Sequence, residues 1–248
     1  MSGRVGSITT EIIANGLVFN MDAANRASYI PNTTTAFNTT DLSQSGSLEN
    51  DVVFISSPTP SFEFDGTDTY INIGNGISFE YTDAFSFSTW VKPLAKSGVK
   101  YLYSKYIGGK GILIYLNSSS SSGINTLHFN LYNTVSGTPS SRKWITTNVS
   151  GLLSVNDWAN IIVTYDGSGL GSGISFYKNG IAQTVSVTYD NLQNNSIVNT
   201  EDAYLSSYNG ASSFYSGLTS NFHIYNKALS SSEVLHNYNA LKGRFGLS

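Results

Sequence analysis

The sequence predicts an all-β protein, a sandwich or barrel of antiparallel strands, that ends in one short helix. Stretches in which apolar and polar residues alternate recur about every ten residues, with turn-forming residues between them. Period-two alternation is typical of strands that bury one face, and regular turns between short strands are typical of sandwiches and barrels. Helical periodicity occurs only near the C-terminus, so a βαβ organisation is not expected.

Composition limits the possible functions. The chain has 248 residues, 40% of them hydrophobic, which is enough for the core of one large domain. Only 12% are charged, the net charge is −3 and no basic block occurs, so we expect no nucleic-acid binding. Without cysteine there is no disulfide or thiolate metal site. No apolar run approaches the roughly 20 residues of a membrane span, so we expect no membrane insertion.

The N-terminal part divides into an arm and the start of the domain. Residues 1–14 are small and polar apart from Ile12 and Ile13, and we predict a flexible or partner-dependent arm, with an ordinary frayed terminus as the alternative. It lacks the basic and apolar regions of a signal peptide, so synthesis in a reducing cytoplasm is expected. The domain then covers residues 15–248. Its first strand begins in the segment 16–25.

The following segments alternate loops and strands. Residues 30–50 are polar and turn-rich, and we predict loops there, followed by one short strand near 52–56. Asp65-Gly66 predicts a turn between two strands. The segment "AFSFSTWVK" alternates cleanly and predicts a half-buried strand that ends at Pro93.

The middle of the chain supplies further strands. A turn at Gly108-Gly109 separates two of them, and "LHFNLYN" predicts a strand whose Leu127, Phe129 and Leu131 point inward. The continuous apolar run "WANIIVTYDG" predicts an interior strand that is covered on both faces. Asn179-Gly180 predicts a hairpin, because both central residues of a type I′ turn need positive φ. "AYLSSYN" and "SNFHIYN" are the last predicted strands.

The sequence indicates where the C-terminal helix begins, where it ends and which of its residues form an apolar stripe along one side. Ser230 and Glu233 have the spacing of a capping box, in which each side chain bonds the backbone amide of the other. Gly243 suits the left-handed position after a helix. We expect the helix to cover a sheet edge or the mouth between the sheets. Its predicted apolar stripe consists of Val234, Tyr238 and Leu241.

Five stretches resemble one family, in the order expected for it. They are "FEFDGTDTYINIG", "FSFSTWVKP", "DWANIIVTYDG", "ISFYKNGIA" and the closing "IYN" strand followed by "ALS" and the helix. Together they resemble concanavalin A-like, laminin-G-like domains over about Gly16 to Gly243. The resemblance implies a two-sheet antiparallel jelly roll with one short C-terminal helix.

The two ends of the sequence resemble one subgroup of this family. "GLVFNMDAANRASY" and "NYNALKGRFG" look like stand-alone members of the family in the structural proteins of tailed phages. This implies a non-catalytic protein on the virion surface, in the capsid decoration or in the tail, assembled as a homo-oligomer. The arm 1–14 is then expected to dock on other virion proteins, and the outer loops are expected to adhere weakly to glycans.

The family also contains glycoside hydrolases, so an acid pair is the first catalytic candidate. Retaining hydrolysis needs two carboxyl groups about 5 Å apart, which alternate strand positions can supply. Glu63, Asp65 and Asp68 come closest, but their spacing differs from that of the hydrolases and matches the non-catalytic turn of the family better. Glu49 and Asp51 lack a third acid. We therefore predict that the protein is not an enzyme, with a glycoside hydrolase as the less favoured alternative.

Metal sites have few candidate ligands. His128, His223 and His236 fall on separate elements, the first two at outward strand positions and the third off the stripe of the helix, so we predict three surface histidines. Calcium binds through oxygen ligands in many relatives of this family. Asp side chains beside turns also form hydrogen bonds with their own backbone, without a metal. The sequence therefore leaves both possibilities, a calcium site and metal-free turns. The possible calcium ligands are Asp65, Asp68, Asp166 and Asp190.

Aromatic residues in polar stretches are the remaining candidates. Sugar binding uses flat apolar surfaces with a polar rim, and tyrosine is also simply favoured on sheets and at interfaces. A free lectin, calcium-dependent or not, is therefore the alternative to the virion protein. The candidate platform consists of Tyr132, Trp144, Tyr204, Tyr208 and Tyr215.

Overall fold

The structure, a computed structural model, describes residues 12–95, 98–118, 124–134, 142–192 and 194–248. In these residues an α-helix, α1 (Ser231–Leu241), follows the strands, and it continues into a 3₁₀ helix, Lys242–Phe245. A short 3₁₀ turn, Gly171–Gly173, precedes the thirteenth strand. The strands are β1 (Leu17–Asp22), β2 (Thr35–Phe37), β3 (Ser45–Glu49), β4 (Val53–Ile55), β5 (Ser61–Asp65), β6 (Tyr70–Asn72), β7 (Phe85–Pro93), β8 (Gly98–Ile107), β9 (Lys110–Ser118), β10 (Ile124–Thr134), β11 (Arg142–Leu153), β12 (Ala159–Tyr165), β13 (Ile174–Lys178), β14 (Ile181–Ala182), β15 (Ser186–Asp190), β16 (Tyr204–Leu205) and β17 (Ser216–Tyr225).

The strands form two antiparallel sheets. Of the described strands, eight form sheet A in the order β14-β13-β12-β7-β17-β5-β4, with β1 paired to β17 beside β5. Nine form sheet B in the order β15-β11-β10-β9-β8-β16-β6-β3-β2. Each sheet contains strands from the beginning, middle and end of the chain. The predicted two-sheet antiparallel sandwich is therefore confirmed.

The core lies between the sheets. Alternating residues of β7 and β9, such as Phe87 and Ile114, meet there and are buried. The predicted inward residues of β10, Leu127, Phe129 and Leu131, are fully buried in the same cluster. Strand β12 is buried on both faces along its whole length, as its apolar run predicted. Period-two patterning thus placed these core residues correctly.

The helix begins as predicted. The hydroxyl of Ser230 accepts a hydrogen bond from the Glu233 amide, and the Glu233 side chain accepts one from the Ser230 amide, so both halves of the capping box are present. The predicted stop at Gly243 is wrong, because the 3₁₀ helix carries the chain on. Gly246 has the left-handed conformation instead, with φ of 71°. A tight 3₁₀ turn at the end of an α-helix is a common continuation.

The place of the helix also differs from the prediction. It lies on the outer face of sheet A rather than over an edge or the mouth. Val234 packs with Tyr225 of β17, and Leu241 packs with Trp90 of β7. Strand β7 is therefore buried on both faces. The prediction that β7 is half-buried was therefore wrong. Trp90, on the outer side of β7, is covered by α1 and the 3₁₀ helix Lys242–Phe245, which together we call the C-terminal segment.

Two strands were missed in the region predicted to be loops. β2 and β3 lie within residues 30–50 and form the end of sheet B. Both are short, and β3 has the sequence SGSLE, whose Ser and Gly residues have low strand propensity. Pairing with β6 holds them in the sheet despite that propensity. The predicted short strand near 52–56 is present as β4.

The predicted arm mostly lies outside the described residues. Residues 12–14 are described, and their isoleucines pack on the C-terminal segment: Ile12 contacts the cluster of Trp90 and Phe245, and Ile13 the cluster of Val234. The backbone amide of Ile13 donates to Asn237 Oδ1 at 2.7 Å.

No helix in the described residues is long and apolar enough to cross a membrane.

Candidate functional site

One surface of sheet B collects aromatic side chains. Along β8, β9 and β10, one set of alternate residues faces the core and the other set faces outward, away from sheet A. We call this outward surface the tyrosine face. It consists of Tyr101, Tyr106, Tyr115, His128, Asn130, Tyr132 and Tyr208.

The strand register aligns these residues in rows across the sheet. In one row Tyr101 pairs with Tyr115, and Tyr115 pairs with His128. Cross-strand neighbours on one face have Cβ atoms about 5 Å apart, so their side chains pack against each other. The Tyr115 and His128 rings stack at a centroid distance of 4.7 Å and an angle of 2°. The Tyr101 and Tyr115 rings lie 5.2 Å apart.

A second row lies toward the other end of these strands. Tyr106 and Tyr132 both pair with Gly111, so no side chain separates them. Their rings meet edge to face with centroids 5.2 Å apart. Between the two rows, Leu113 pairs with Asn130, and both are buried beneath the rings. Tyr106 is only 8% exposed and the other rings are half-buried, so the face consists of partly exposed rings with one leucine and one amide below them.

Tyr208 enters the face from a loop. Asn209 and Gly210 both have left-handed backbone conformations, with φ of 51° and 65°, and turn the chain back so that Tyr208 N bonds Ser212 O. The Asn209 side chain donates to the carbonyl of Tyr106 at 2.6 Å, which ties the turn to β8. The ring of Tyr208 lies 5.0 Å from Tyr101 and 6.1 Å from Tyr106. The turn thus completes the platform.

Burial shifts the pKa values of several groups of the face in favour of their uncharged forms. It raises the pKa of the Tyr101 hydroxyl, which the surrounding tyrosines raise further. It also raises the pKa of Tyr115, against the hydrogen bond from Asn130, which lowers it. Burial lowers the pKa of His128, which favours the neutral imidazole. The His128 Nε2 lies 2.7 Å from the Thr126 hydroxyl.

The structure separates the aromatic residues that the sequence grouped. Tyr132 and Tyr208 belong to the tyrosine face. Tyr204 forms a second group with Tyr70, at 5.9 Å. Tyr215 is 1% exposed and packs against Phe64 in the core, so its placement on a surface platform was wrong. The side chain of Trp144 lies outside the described residues.

Sequence reasoning missed most of the face. Tyr101, Tyr106 and Tyr115 were treated as ordinary strand residues, and Asn130 was not considered. The outward alternation of β9 and β10 could have indicated Tyr115, His128 and Asn130. Only the pairing register shows that they are neighbours.

Comparison with known families decides which fold family this is. Residues 65–235, more than half of the chain, match the Laminin G 3 family model, described as Concanavalin A-like lectin/glucanases superfamily. The chain belongs to this family. No curated protein matches the sequence of this laminin-G-like chain.

Solved structures share the fold at low sequence identity. The receptor binding domain of botulinum neurotoxin type G aligns over 91% of this chain at 16% identity and a TM-score of 0.60. The binding domain of Paraclostridial mosquitocidal protein 1 aligns over 90% at 16% identity and a TM-score of 0.63. The binding domain of botulinum neurotoxin DC, in complex with SialylT, aligns over 90% at 14% identity and a TM-score of 0.63. The laminin-G-like chain spans about half the length of these structures, 51% to 52%.

Of the acids considered for a hydrolase, all but Glu49 meet at one place. Asp51, Glu63, Asp65 and Asp68 line an open depression of about 560 Å³ beside β4 and β5. Burial raises the pKa of Asp65, but hydrogen bonds from the Thr67 amide and others in the turn outweigh it and lower the pKa to about 2. A general acid must hold a proton near the working pH. Asp65 therefore does not fit that role, and its side chain instead stabilises the turn.

The possible calcium ligands fall in two places. Asp65 and Asp68 belong to the turn after β5, whereas Asp166 and Asp190 lie at the 3₁₀ turn Gly171–Gly173. Asp166 Oδ1 accepts from the Ser168 amide, and Asp190 Oδ1 accepts from the Gly171 amide, both at 2.9 Å. The Asp166 bond is one that turns make without a metal, whereas the Asp190 bond joins β15 to the 3₁₀ turn. Within the described ranges, no group of three or more His, Asp and Glu side chains is placed to hold a metal ion.

The three histidines are on separate elements, as predicted, but one is not on the surface. His236 is exposed on the helix, and His128 is half-buried on the tyrosine face. His223 points away from the core between the sheets, yet it is only 2% exposed. The outward position of His223 is as predicted, but its exposure is not, because the C-terminal segment covers that face of β17.

Proposed function

We propose that the laminin-G-like chain is a non-catalytic carbohydrate-binding protein that holds glycans on the tyrosine face. The observation that carries this proposal is the platform itself: five tyrosines and a histidine on one sheet surface, with an amide beneath them. Sugar rings have apolar C–H faces and a rim of hydroxyls. Partly exposed aromatic rings with a few polar groups match both parts.

The comparisons support binding of this kind. The family's description includes lectins, and the similar solved structures are named as binding domains, one of them in complex with SialylT. Because this chain spans only half of those structures, the position of a glycan in them does not assign a site here. The site is therefore argued from the tyrosines of this chain alone.

Two substitutions test the face. Tyr101→Ala and Tyr132→Ala each remove one ring, and we expect each to weaken glycan binding about ten-fold, which corresponds to about 1.4 kcal/mol. Binding is measured by calorimetry with glycans first identified on an array. Since the described side chains of the face include no carboxylate, a calcium chelator should leave affinity unchanged.

The matched control is Tyr238→Ala, a partly exposed tyrosine on the opposite side of the sandwich, 5.8 Å from Trp90. It should leave glycan affinity as in the wild type. Equal affinity in both tyrosine-face variants and the wild type would refute the site.

We further propose that the protein works on a virion surface, where other virion proteins hold it as a homo-oligomer. The resemblance of the two chain ends suggests this role, and those ends form one unit: Arg244 near the C-terminus bonds Asp22 of β1. The role stays a prediction. Its test is incorporation into particles after deletion of residues 1–11, a cut that spares the packed Ile12 and Ile13. Normal incorporation would refute docking by the arm.

A further inference from the structure

A second group of aromatic rings lies beside the tyrosine face. The rings of Tyr70, Tyr204 and Phe214 are partly exposed, and we call them the Tyr70 patch. The centroid of the Tyr70 ring lies 5.9 Å from that of Tyr204 and 6.2 Å from that of Phe214. Contiguous apolar patches, unlike single exposed apolar residues, are typical of interaction surfaces. The patch is therefore a candidate contact area for a ligand.

The strand register places the Tyr70 patch on the same outer surface of sheet B as the tyrosine face. Leu205 faces the core, so its neighbour Tyr204 in β16 faces away from sheet A. Tyr204 pairs with Ser104 of β8. Tyr106, two positions after Ser104, has the same orientation and belongs to the tyrosine face. A ligand that lies on one group is therefore on the same side of the molecule as the other.

The loop between β16 and β17 contributes a ring to each group. Its Tyr208 belongs to the tyrosine face, and its Phe214 belongs to the Tyr70 patch. The backbone amide of Asn209 donates to the Ser104 hydroxyl at 2.9 Å, so the loop lies on the outer surface of β8. Both rings are therefore held by one loop that is fixed to the sheet.

Gly210 of this loop lies where the two groups adjoin. A Cβ atom at this position would be 3.0 Å from the Tyr204 ring and 3.2 Å from the Tyr70 ring, so the glycine backbone lies against both rings. Its φ of 65° is one that glycine adopts without strain. Because Tyr208, two positions earlier, contacts the tyrosine face, the loop brings the two groups together within three residues.

Carboxylates border the Tyr70 patch. Glu49 pairs with Tyr70 in the register of β3 and β6, and its charge adds to the burial that raises the pKa of the Tyr70 hydroxyl. Asp202 accepts a hydrogen bond at 3.0 Å from Asn72 Nδ2, and Asn72 is the partner of Tyr204 in the sheet. A carboxylate accepts several hydrogen bonds, so Asp202 is able to accept a further one from a ligand hydroxyl. Rings with acceptors at their rim match the C–H faces and the hydroxyls of a sugar.

The tyrosine face and the Tyr70 patch together cross five strands of sheet B, in the order β10-β9-β8-β16-β6. Neighbouring strands lie about 4.8 Å apart, so four spacings give a width of roughly 19 Å. A single sugar unit covers only part of this width, whereas a chain of several units crosses it. The combined surface therefore suits a chain better than a terminal sugar.

We propose that the Tyr70 patch is a second contact area for the glycan on the tyrosine face, and that the ligand is a chain of several sugar units. This inference rests on the proposed function and deepens it by naming the class of ligand. One chain that reaches both areas makes the second contact intramolecular. The second contact then raises affinity without the loss of translational freedom that a separate ligand would incur.

The experiment compares short and long glycans of the same series. Calorimetry is run with the di- and hexasaccharides of the cello-, xylo-, laminari- and manno- series, and the readout is the ratio of hexasaccharide affinity to disaccharide affinity. We expect a ratio of at least ten in a series that the wild type binds. Repeated units also raise affinity statistically, but to the same extent in every variant. The comparison between variants therefore measures the second contact area.

Two variants each remove one ring of the Tyr70 patch. Tyr70→Ala and Phe214→Ala should each lower the affinity ratio at least three-fold, because the chain loses part of its second contact. The matched control Tyr238→Ala, on the opposite side of the sandwich, should keep the wild-type ratio. Phe214 lies in a loop, so Phe214→Ala is informative even where Tyr70→Ala fails to fold.

The outcomes distinguish this inference from the proposed function. If Tyr101→Ala weakens binding but the variants of the Tyr70 patch keep the wild-type ratio, the tyrosine face binds glycans and the second contact area is wrong. Equal affinity of the wild type for disaccharides and hexasaccharides would overturn the inference in the same way. If the wild type binds no glycan of these series or of the array, both the proposed function and this inference fail.

Discussion

At the scale of single residues, what covers a side chain decides its chemistry. His223 lies on the outer side of β17, where sequence alternation predicts exposure, but the C-terminal segment buries it beside Asp22 and Arg244. Burial lowers its pKa to about 4, although Asp22 raises the pKa and Arg244 lowers it further. The neutral imidazole is therefore part of the folded state.

This burial predicts acid sensitivity. The pKa of an unfolded histidine is about 6.5, so between pH 6.5 and 4 the unfolded chain binds a proton that the folded chain does not. Stability from His223 is complete above pH 6.5 and is lost as the pH falls toward 4, by roughly 3 kcal/mol at most. Urea unfolding at pH 7, 5.5 and 4.5 measures it.

The variant His223→Gln separates this contribution from that of the carboxylates. It should show a smaller fall in the free energy of unfolding over the same pH range. The control His236→Gln, at the exposed histidine of the helix, should follow the wild type. Parallel curves for His223→Gln and wild type would contradict the assignment.

At the scale of elements, the helix shows how local capping and tertiary packing combine. The capping box forms from residues three positions apart, and the ammonium of Lys227 donates to Glu233 at 2.6 Å, the first cause of the lowered pKa of Glu233. The buried side of the helix includes Asn237, which accepts from Ile13 and donates to the Tyr225 hydroxyl at 3.0 Å. The start of the helix is thus local, whereas its position on sheet A depends on distant strands.

The cap has a measurable energy. Ser230→Ala leaves the Glu233 amide without its acceptor, and we expect a loss of about 1 kcal/mol in the free energy of unfolding. Ser231→Ala, one position later and exposed, is the control and should change stability by less than about 0.5 kcal/mol. Chemical denaturation of both variants gives the comparison, and equal stabilities would argue against the cap.

At the scale of the whole molecule, the outer faces of the two sheets have different roles. The outer face of sheet A is covered by the helix, the 3₁₀ helix and the isoleucines Ile12 and Ile13. Trp90 stacks there on Phe245 at 3.8 Å. The outer face of sheet B carries the partly exposed tyrosines. The outer face of sheet A is thus buried in a second hydrophobic core, which it forms with the C-terminal segment. The outer face of sheet B is the surface proposed for glycan binding.

The ion pair between Asp22 and Arg244 joins the two ends of the fold. Arg244 Nη1 donates to both carboxylate oxygens at 2.8 and 2.9 Å, and both side chains are mostly buried. Arg244→Ala leaves a buried carboxylate unpaired, and we expect a loss of about 3 kcal/mol. Lys227→Ala breaks the more exposed pair with Glu233 and should cost less than about 1 kcal/mol. Comparable losses in thermal or urea unfolding would contradict this ranking.

Sequence patterns predicted the structure correctly where a feature depends on residues that are close together in the chain. The Asn179-Gly180 turn has both residues at positive φ, 51° and 78°, and joins β13 to β14 as predicted. The inward residues of β10 and the capping box follow the same rule, since each depends on residues a few positions apart. The weak strands β2 and β3 were missed because their stability comes from neighbours that are distant in the chain.

By itself, the sequence determined an all-β antiparallel protein, its main strands and its one capped helix, because period-two alternation, turn chemistry and caps act over a few residues. The patterns allowed a sandwich or a barrel, and the resemblance to laminin-G-like domains implied the sandwich. Only the tertiary structure decided which outer face is covered and which tyrosines meet. Tyr101, Tyr115 and His128 become neighbours through the register of three strands, whereas Tyr215, equally polar in its sequence context, enters the core. Register and packing are set by contacts across the whole chain, and the candidate site is made of such contacts.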